Sequence, residues 1–200
     1  MDYKSILGVI AVALAIAGDI PYFINIFRKK TKPHIFSWLV WGIEVGVAFF
    51  AQLAKGGGAG TWVTGFTALS CLAVAGLALF YGEKKITKID WASFIGALLG
   101  IVFWQLTGDP LLAVILAASV DTLGFVPTFR KAYNKPLEET TTTFSFGAIK
   151  FAISLAALES FSLTTALFPA TLVLSNSAFV IMVLLRRQAL AKANAMTVRP

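Results

Sequence analysis

The sequence predicts an all-α polytopic membrane protein, with seven transmembrane helices built as two parallel three-helix bundles joined by a linker helix. Three observations carry this. Of 200 residues, 58% are hydrophobic and only 14% charged, and the charges gather between apolar runs. Those runs have the roughly 20-residue length that crosses about 30 Å of hydrocarbon as helix. Finally, one fragment occurs twice: Asp19 and Asp121 each stand eight residues before a Phe-Arg-Lys, at Phe27-Arg28-Lys29 and Phe129-Arg130-Lys131.

In chain order the runs cover approximately 5–27, 35–54, 60–81, 91–107, 110–130, 143–158 and 162–185. Lys84, Lys85, Lys88 and Asp90 separate the third from the fourth, and Gly108-Asp109-Pro110 makes a turn before the fifth. The chain divides accordingly into a first repeat (1–82), a linker with the fourth helix (83–108), a second repeat (109–187) and a cytosolic tail (188–200). A secretory signal is the alternative for the first run, because Ala15-Ile16-Ala17 resembles a cleavage site. The apolar character continues past that point to Phe27, and the match with the fifth run makes the segment half of a repeat.

Basic residues set the expected orientation. Arg28, Lys29, Lys30 and Lys32, then Lys84, Lys85 and Lys88, then Arg130, Lys131 and Lys135, then the tail residues Arg186, Arg187, Lys192 and Arg199 all fall on one side. The other side has only Lys4 and Lys55. The positive-inside rule then puts the N-terminus outside and the C-terminus in the cytosol, in a plasma (inner) membrane. The net charge of +7 is spread over four loops facing an anionic leaflet, so no nucleic-acid partner is implied. Cys71 is the only cysteine and His34 the only histidine, which leaves no intramolecular disulfide and no thiol or His metal cluster. Walker, dinucleotide and nucleophile-elbow motifs are missing, so the reading is not an enzyme and requires no cofactor.

The fourth helix carries the chain back across, so both three-helix units begin outside; parallel repeats of this kind are one way to build a transporter around a midplane site. The residues that follow resemble the SWEET and PQ-loop superfamily. They are Pro21-Tyr22, Arg28 to Lys32, Pro33, Ser37-Trp38 and Trp41 in the first half, with Pro127, Arg130-Lys131, Pro136, Phe144-Ser145 and Asn176 in the second. The resemblance covers the topology of about residues 5–187 and implies a small-solute transporter, with sugars as one substrate class. The chain departs from the pattern in having Pro21-Tyr22 where the family has Pro-Gln, and Leu123-Gly124 at the equivalent place in the second half. Aligning the halves puts Cys71 opposite Asn176, and the second helices lack the prolines of the sugar-transporting members.

Ionisable residues inside the apolar runs are the candidate site. Asp19, Glu44, Asp121 and Lys150 each cost at least about 2.5–3.5 kcal/mol for Asp or Lys near a bilayer centre, so each should face the bundle interior or water. At a rise of 1.5 Å per residue, these four and Asn176 lie about 10–13 Å from the cytosolic helix ends, in one layer. Three carboxylates face one ammonium. The excess negative charge is met by a proton or by a cationic group of the solute; two structural ion pairs are the bland alternative. Tyr22, three residues from Asp19, and Trp41, three before Glu44, are expected to line the site.

Pro21 and Pro127 break helical hydrogen bonds below this layer and are candidate hinges, or else static kinks. Trp62 and Trp91 suit the interface belt. Gly42-x-x-x-Gly46 and Gly96-x-x-x-Gly100 allow close helix approach, and Gly56-Gly57-Gly58 reads as a flexible outer loop. The expected function is transport of a small polar solute (sugar, amino acid or amine) by alternating access, with proton coupling and homo-oligomerisation left open. A seven-helix receptor or assembly protein that binds without transport is the competing class.

Overall fold

The computed structural model describes residues 2–29, 33, 35–82, 88, 91, 94–95, 98–99, 102, 106–134, 136–138 and 141–197. Among these, the regular elements are six α-helices and two 3-10 turns: α1 (Tyr3–Phe27), α2 (Ile35–Ala54), a turn at Gly58–Thr61, α3 (Trp62–Tyr81), α4 (Pro110–Asn134), a turn at Pro136–Glu138, α5 (Thr142–Ala157) and α6 (Leu163–Thr197). They follow the apolar runs closely. The main difference is that α6 continues to Thr197, through a basic stretch that is polar but free of Gly and Pro and so has no reason to stop. Between α3 and α4, positions 88, 91, 94–95, 98–99, 102 and 106–107 are helical. The Gly96/Gly100 motif and, of the basic loop residues, Lys30, Lys32, His34, Lys84, Lys85 and Lys135 lie outside the described residues.

Among the described residues, three stretches are long and apolar enough to cross a membrane: α1, Gly58–Tyr81 and Leu163–Lys192. Shorter apolar helices run over Trp38–Ala54, Pro110–Leu123 and Thr142–Ala157. Large apolar side chains such as Leu69, Phe80 and Leu174 point outward, 69%, 82% and 70% exposed, as they would toward lipid tails.

The helices close into a ring in the order α1, α3, α2, α4, α6, α5 and back to α1. Within each triplet the third helix stands between the first and second, and the first helix of each half packs on the second helix of the other. Exchanging α1 with α4, α2 with α5 and α3 with α6 leaves this ring unchanged, which is the two-fold relation that the repeated Asp…Phe-Arg-Lys fragment suggests.

Hydrogen bonds orient the ring. Lys4 at the start of α1 donates through Nζ to the Leu158 carbonyl at the end of α5 (2.7 Å), and Gly18 lies against Phe146 near the start of α5. Thus α1 and α5 are antiparallel. At the other end of the molecule, Arg186 late in α6 donates to the Tyr133 carbonyl (3.1 Å) at the end of α4. Both triplets therefore start at one face, here called the N-terminal face, and α3 ends at the opposite face. The connection from Gly82 to Pro110 has to run from one end of the bundle to the other.

Small residues let the halves approach. One core cluster runs through both, with Ala11, Ala15, Ala48, Ala51, Ala117 and Ala118 packed beside Phe151 and Phe168, and a second, of Ala132, Phe179 and Val183, lies within the second half. Polar bonds join the halves at the N-terminal face besides Lys4: Ser154 Oγ to the Gly60 carbonyl (2.7 Å), Glu159 N to the Gly57 carbonyl (3.1 Å), and Gln52 Nε2 to the Thr165 carbonyl (2.8 Å). The last has a local cause. Pro169, inside α6, has no N–H to return to the carbonyl four residues earlier, so Thr165 needs an outside donor. Gln52, fully buried, supplies it.

The Gly56–Gly58 stretch is a packed turn and not the free loop expected. Gly56 and Gly58 take φ of +69° and +58°, where L side chains are strained, and a Cβ on Gly58 would run into the Glu159 side chain. At α1 the chain is capped by Asp2, which accepts from Ser5 N at 2.8 Å; outside the span, hydrogen bonding from the Ser5 side chain and then from its backbone N–H holds the Asp2 carboxyl below the usual range.

Candidate functional site in the middle of the ring

The polar layer is assembled from five helices, each supplying its group from near its middle. Glu44 is 2% exposed on α2, Asp121 8% on α4, Lys150 9% on α5 and Asn176 7% on α6, while Asp19 on α1 is half-buried. A group on a half-length turn of a spanning helix is as far as it can be from either aqueous face, so these side chains need partners within the protein.

Two different solutions are present. Asp19 Oδ2 accepts a 2.6 Å hydrogen bond from Ser70 Oγ, and Lys150 Nζ donates to Thr67 Oγ1 at 3.2 Å. Thr67 in turn donates to the Val63 carbonyl of its own helix (2.7 Å). Thr67 and Ser70 are one turn apart on α3. This helix therefore inserts hydroxyls between the ammonium and the carboxylate. Lys150 and Asp19 still act on each other electrostatically, and the Lys150 ammonium also sits 5.1 Å from the Phe151 ring centroid. In place of a direct ion pair, Lys150 and Asp19 each bond a separate hydroxyl of α3.

Glu44 and Asp121 have no such arrangement. Glu44 Oε1 and Asp121 Oδ2 are buried with no hydrogen-bond partner. The helices that carry them, α2 and α4, pack directly together across the boundary between the halves, and Asp121 acts electrostatically on Glu44. Cys71, buried on α3, lies within electrostatic reach of Lys150, Asp19, Asp121 and Glu44. Each unbonded buried carboxylate oxygen carries a desolvation cost of about 1–3 kcal/mol or more.

Of the remaining candidates, Asn176 donates through Nδ2 to the Leu172 carbonyl (2.7 Å), leaving its Oδ1 directed at Gly147 on α5, where an added Cβ would come within 2.8 Å. Tyr22 and Trp41 belong to a neighbouring aromatic stack. Trp38 Nε1 donates to the Tyr22 hydroxyl (3.2 Å), and Trp38 packs on Tyr22 and edge-on to Trp41, with centroids 5.0 and 5.3 Å apart. Trp41 is 38% exposed, and its ring packs on Trp38. Pro21 lies inside α1 with its ring exposed; Pro127 falls within α4, and its side chain is outside the described residues.

A scan against family models finds no match, and searches of curated proteins and of solved structures find none either.

The chemistry therefore rests on the geometry. Among the described residues no three His, Cys, Asp or Glu side chains are grouped as for a metal ion. An apolar groove of about 570 Å³ on the outer side of α2 and α3, lined by Gly42, Gly46, Phe49 and Leu72 among others, holds none of the charged candidates. Sequence reasoning missed Thr67 and Ser70. Their signal was nonetheless present: Thr64, Thr67, Ser70 and Cys71 recur at helical spacing on one face of an otherwise apolar run.

Proposed function

We propose that the chain is a seven-span, SWEET-like transporter that carries a small polar solute across a membrane by rocking its two three-helix halves about the central polar layer. The observation that carries this reading is the pair of partnerless carboxylate oxygens, on Glu44 and Asp121, facing the boundary between two-fold-related halves. Purely structural acids would be expected to end on hydroxyls, as Asp19 does. Acids that wait for a solute or a proton are left open in its absence.

The uneven closure of the ring supports the same reading. Among the described residues, the hydrogen bonds between halves lie at the N-terminal face and at the polar layer. Toward the other face each half keeps its own aromatic cluster, Tyr22–Trp38–Trp41 in the first and Phe125–Phe129–Phe144–Phe179 in the second. With the N-terminus outside, this is a state shut toward the exterior. Pro21 and Pro127 lie in the segments that have to bend for the cytosolic side to open.

The test is solute exchange in sealed proteoliposomes containing the purified chain, against a panel of sugars, amino acids and amines at acid and neutral pH. Saturable exchange that depends on Asp121 supports transport. Binding without any exchange favours the receptor reading. Under the transport reading, Pro21→Ala and Pro127→Ala slow exchange and leave binding intact.

A further inference from the structure

We infer that Glu44 and Asp121 together form a binding site for an organic ammonium group, so that the solute is an amine and not a neutral sugar or a zwitterion. The inference rests on the transport reading for its purpose, while its evidence is the chemistry of one cluster. Two carboxylates, each more than nine-tenths buried and on helices that pack together, present unbonded oxygens. A primary ammonium has three N–H donors and no acceptor, which lets one group bond an oxygen of each acid while cancelling charge.

The surrounding groups decide between solute classes. The one ammonium in the layer, on Lys150, is engaged with Thr67 and faces Asp19, which itself holds Ser70. That side is self-compensated, and the uncompensated charge lies with Glu44 and Asp121. A sugar could donate hydroxyls but brings no positive charge. A zwitterion brings an ammonium together with a carboxylate, and among the described residues the one ammonium in the layer, Lys150, already has Asp19 as its compensating charge, so the carboxylate would add negative charge there. An amine without a carboxylate is the one class that lowers the net negative charge of the layer. The absence, among the described residues, of a third grouped ligand favours a hydrogen-bonding cation over a coordinated metal ion.

Three probes of similar length separate these possibilities: butylammonium, 4-aminobutyrate and butanol, a cation, a zwitterion and a neutral chain. Thermal unfolding of the purified full chain is followed at pH 7, where a simple amine remains protonated, with sodium chloride matched for ionic strength. Butylammonium should raise Tm in a concentration-dependent way, more than 4-aminobutyrate, with no rise from butanol or from sodium chloride alone. Glu44→Gln and Asp121→Asn should each weaken butylammonium binding at least about tenfold, and Asp19→Asn should weaken it less.

An equal shift from butanol or sodium chloride, tighter binding of the zwitterion, or unchanged butylammonium affinity in both Glu44→Gln and Asp121→Asn would overturn the inference. Because the comparison of probes is made on the wild-type chain, it stands even where a variant fails to fold. Sugar exchange without amine binding sinks the ammonium site and leaves transport; amine binding without exchange of any solute does the reverse.

Discussion

The two halves share a packing order and differ in how they treat the acid on their first helix. Asp19 in the first half meets Ser70 from the third helix of the same half and lies within electrostatic reach of Lys150. Asp121, its counterpart by the repeated fragment, is more deeply buried and keeps an oxygen unbonded, with another acid as its neighbour. One position has been satisfied by its own bundle. In the proposed reading, the other is the one that meets the solute. A two-fold scaffold can therefore hold an asymmetric site, because symmetry is set by small apolar residues at helix contacts while the chemistry depends on a few side chains.

The comparison can be broken most directly at the two aspartates. Asp121→Asn should lower solute exchange by about a hundredfold or more, and yet leave Tm unchanged or slightly higher, since it removes a buried charge without a partner. Exchange assays and thermal unfolding on the same preparation check this; a larger loss of exchange in Asp19→Asn would reverse the roles given to the two halves. Asp19→Leu should act on stability instead. It strips Ser70 of its acceptor and Lys150 of its compensating charge, at about 1–3 kcal/mol, read as a lowered Tm.

Closure of the N-terminal face supplies smaller effects. A Cβ on Gly60 would come within 2.7 Å of Leu158 N and the Ser154 carbonyl, both backbone atoms of the other half. Gly60→Ala should therefore destabilise by about 1–3 kcal/mol and loosen the joint between halves. Gln52→Leu leaves the Thr165 carbonyl, already orphaned by Pro169, without its donor, at about 1–2 kcal/mol in thermal unfolding. Gly46, by contrast, has open space where its Cβ would be, and Gly46→Ala should be neutral or stabilise by up to about 1 kcal/mol. If Gly46→Ala proved as damaging as Gly60→Ala, the tight contact would lie on the outer face of α2 and not between the halves.

Much of the site was legible as a list of expensive residues. Asp19, Glu44, Asp121, Lys150 and Asn176 stood out because ionisable or amide groups rarely interrupt apolar runs without a reason, and all lie near the middle of their helices. What each group does was not legible. Lys150 could have paired with any of three carboxylates by depth alone, and its donation to Thr67 depends on which helix stands next to α5. Tyr22 and Trp41 share helical faces with Asp19 and Glu44, but Trp38, a side chain between them in space, gathers both into one stack. Gln52 raised no signal at all, since one amide near a helix end looks like an interface residue until its partner carbonyl on α6 is known.

By itself the sequence determined where the described helices run, that one fragment recurs, and which groups are out of place in an apolar environment. These are local properties: hydropathy over a window, a spacing, the solvation cost of one side chain. Tertiary structure alone decided that the halves interlock first helix on second, that α3 offers hydroxyls to both Lys150 and Asp19, and that Glu44 and Asp121 keep unbonded oxygens on adjoining helices. Those depend on which helices become neighbours, and neighbourhood is set by the collective packing of small and large side chains over the whole ring, which no single stretch of sequence contains.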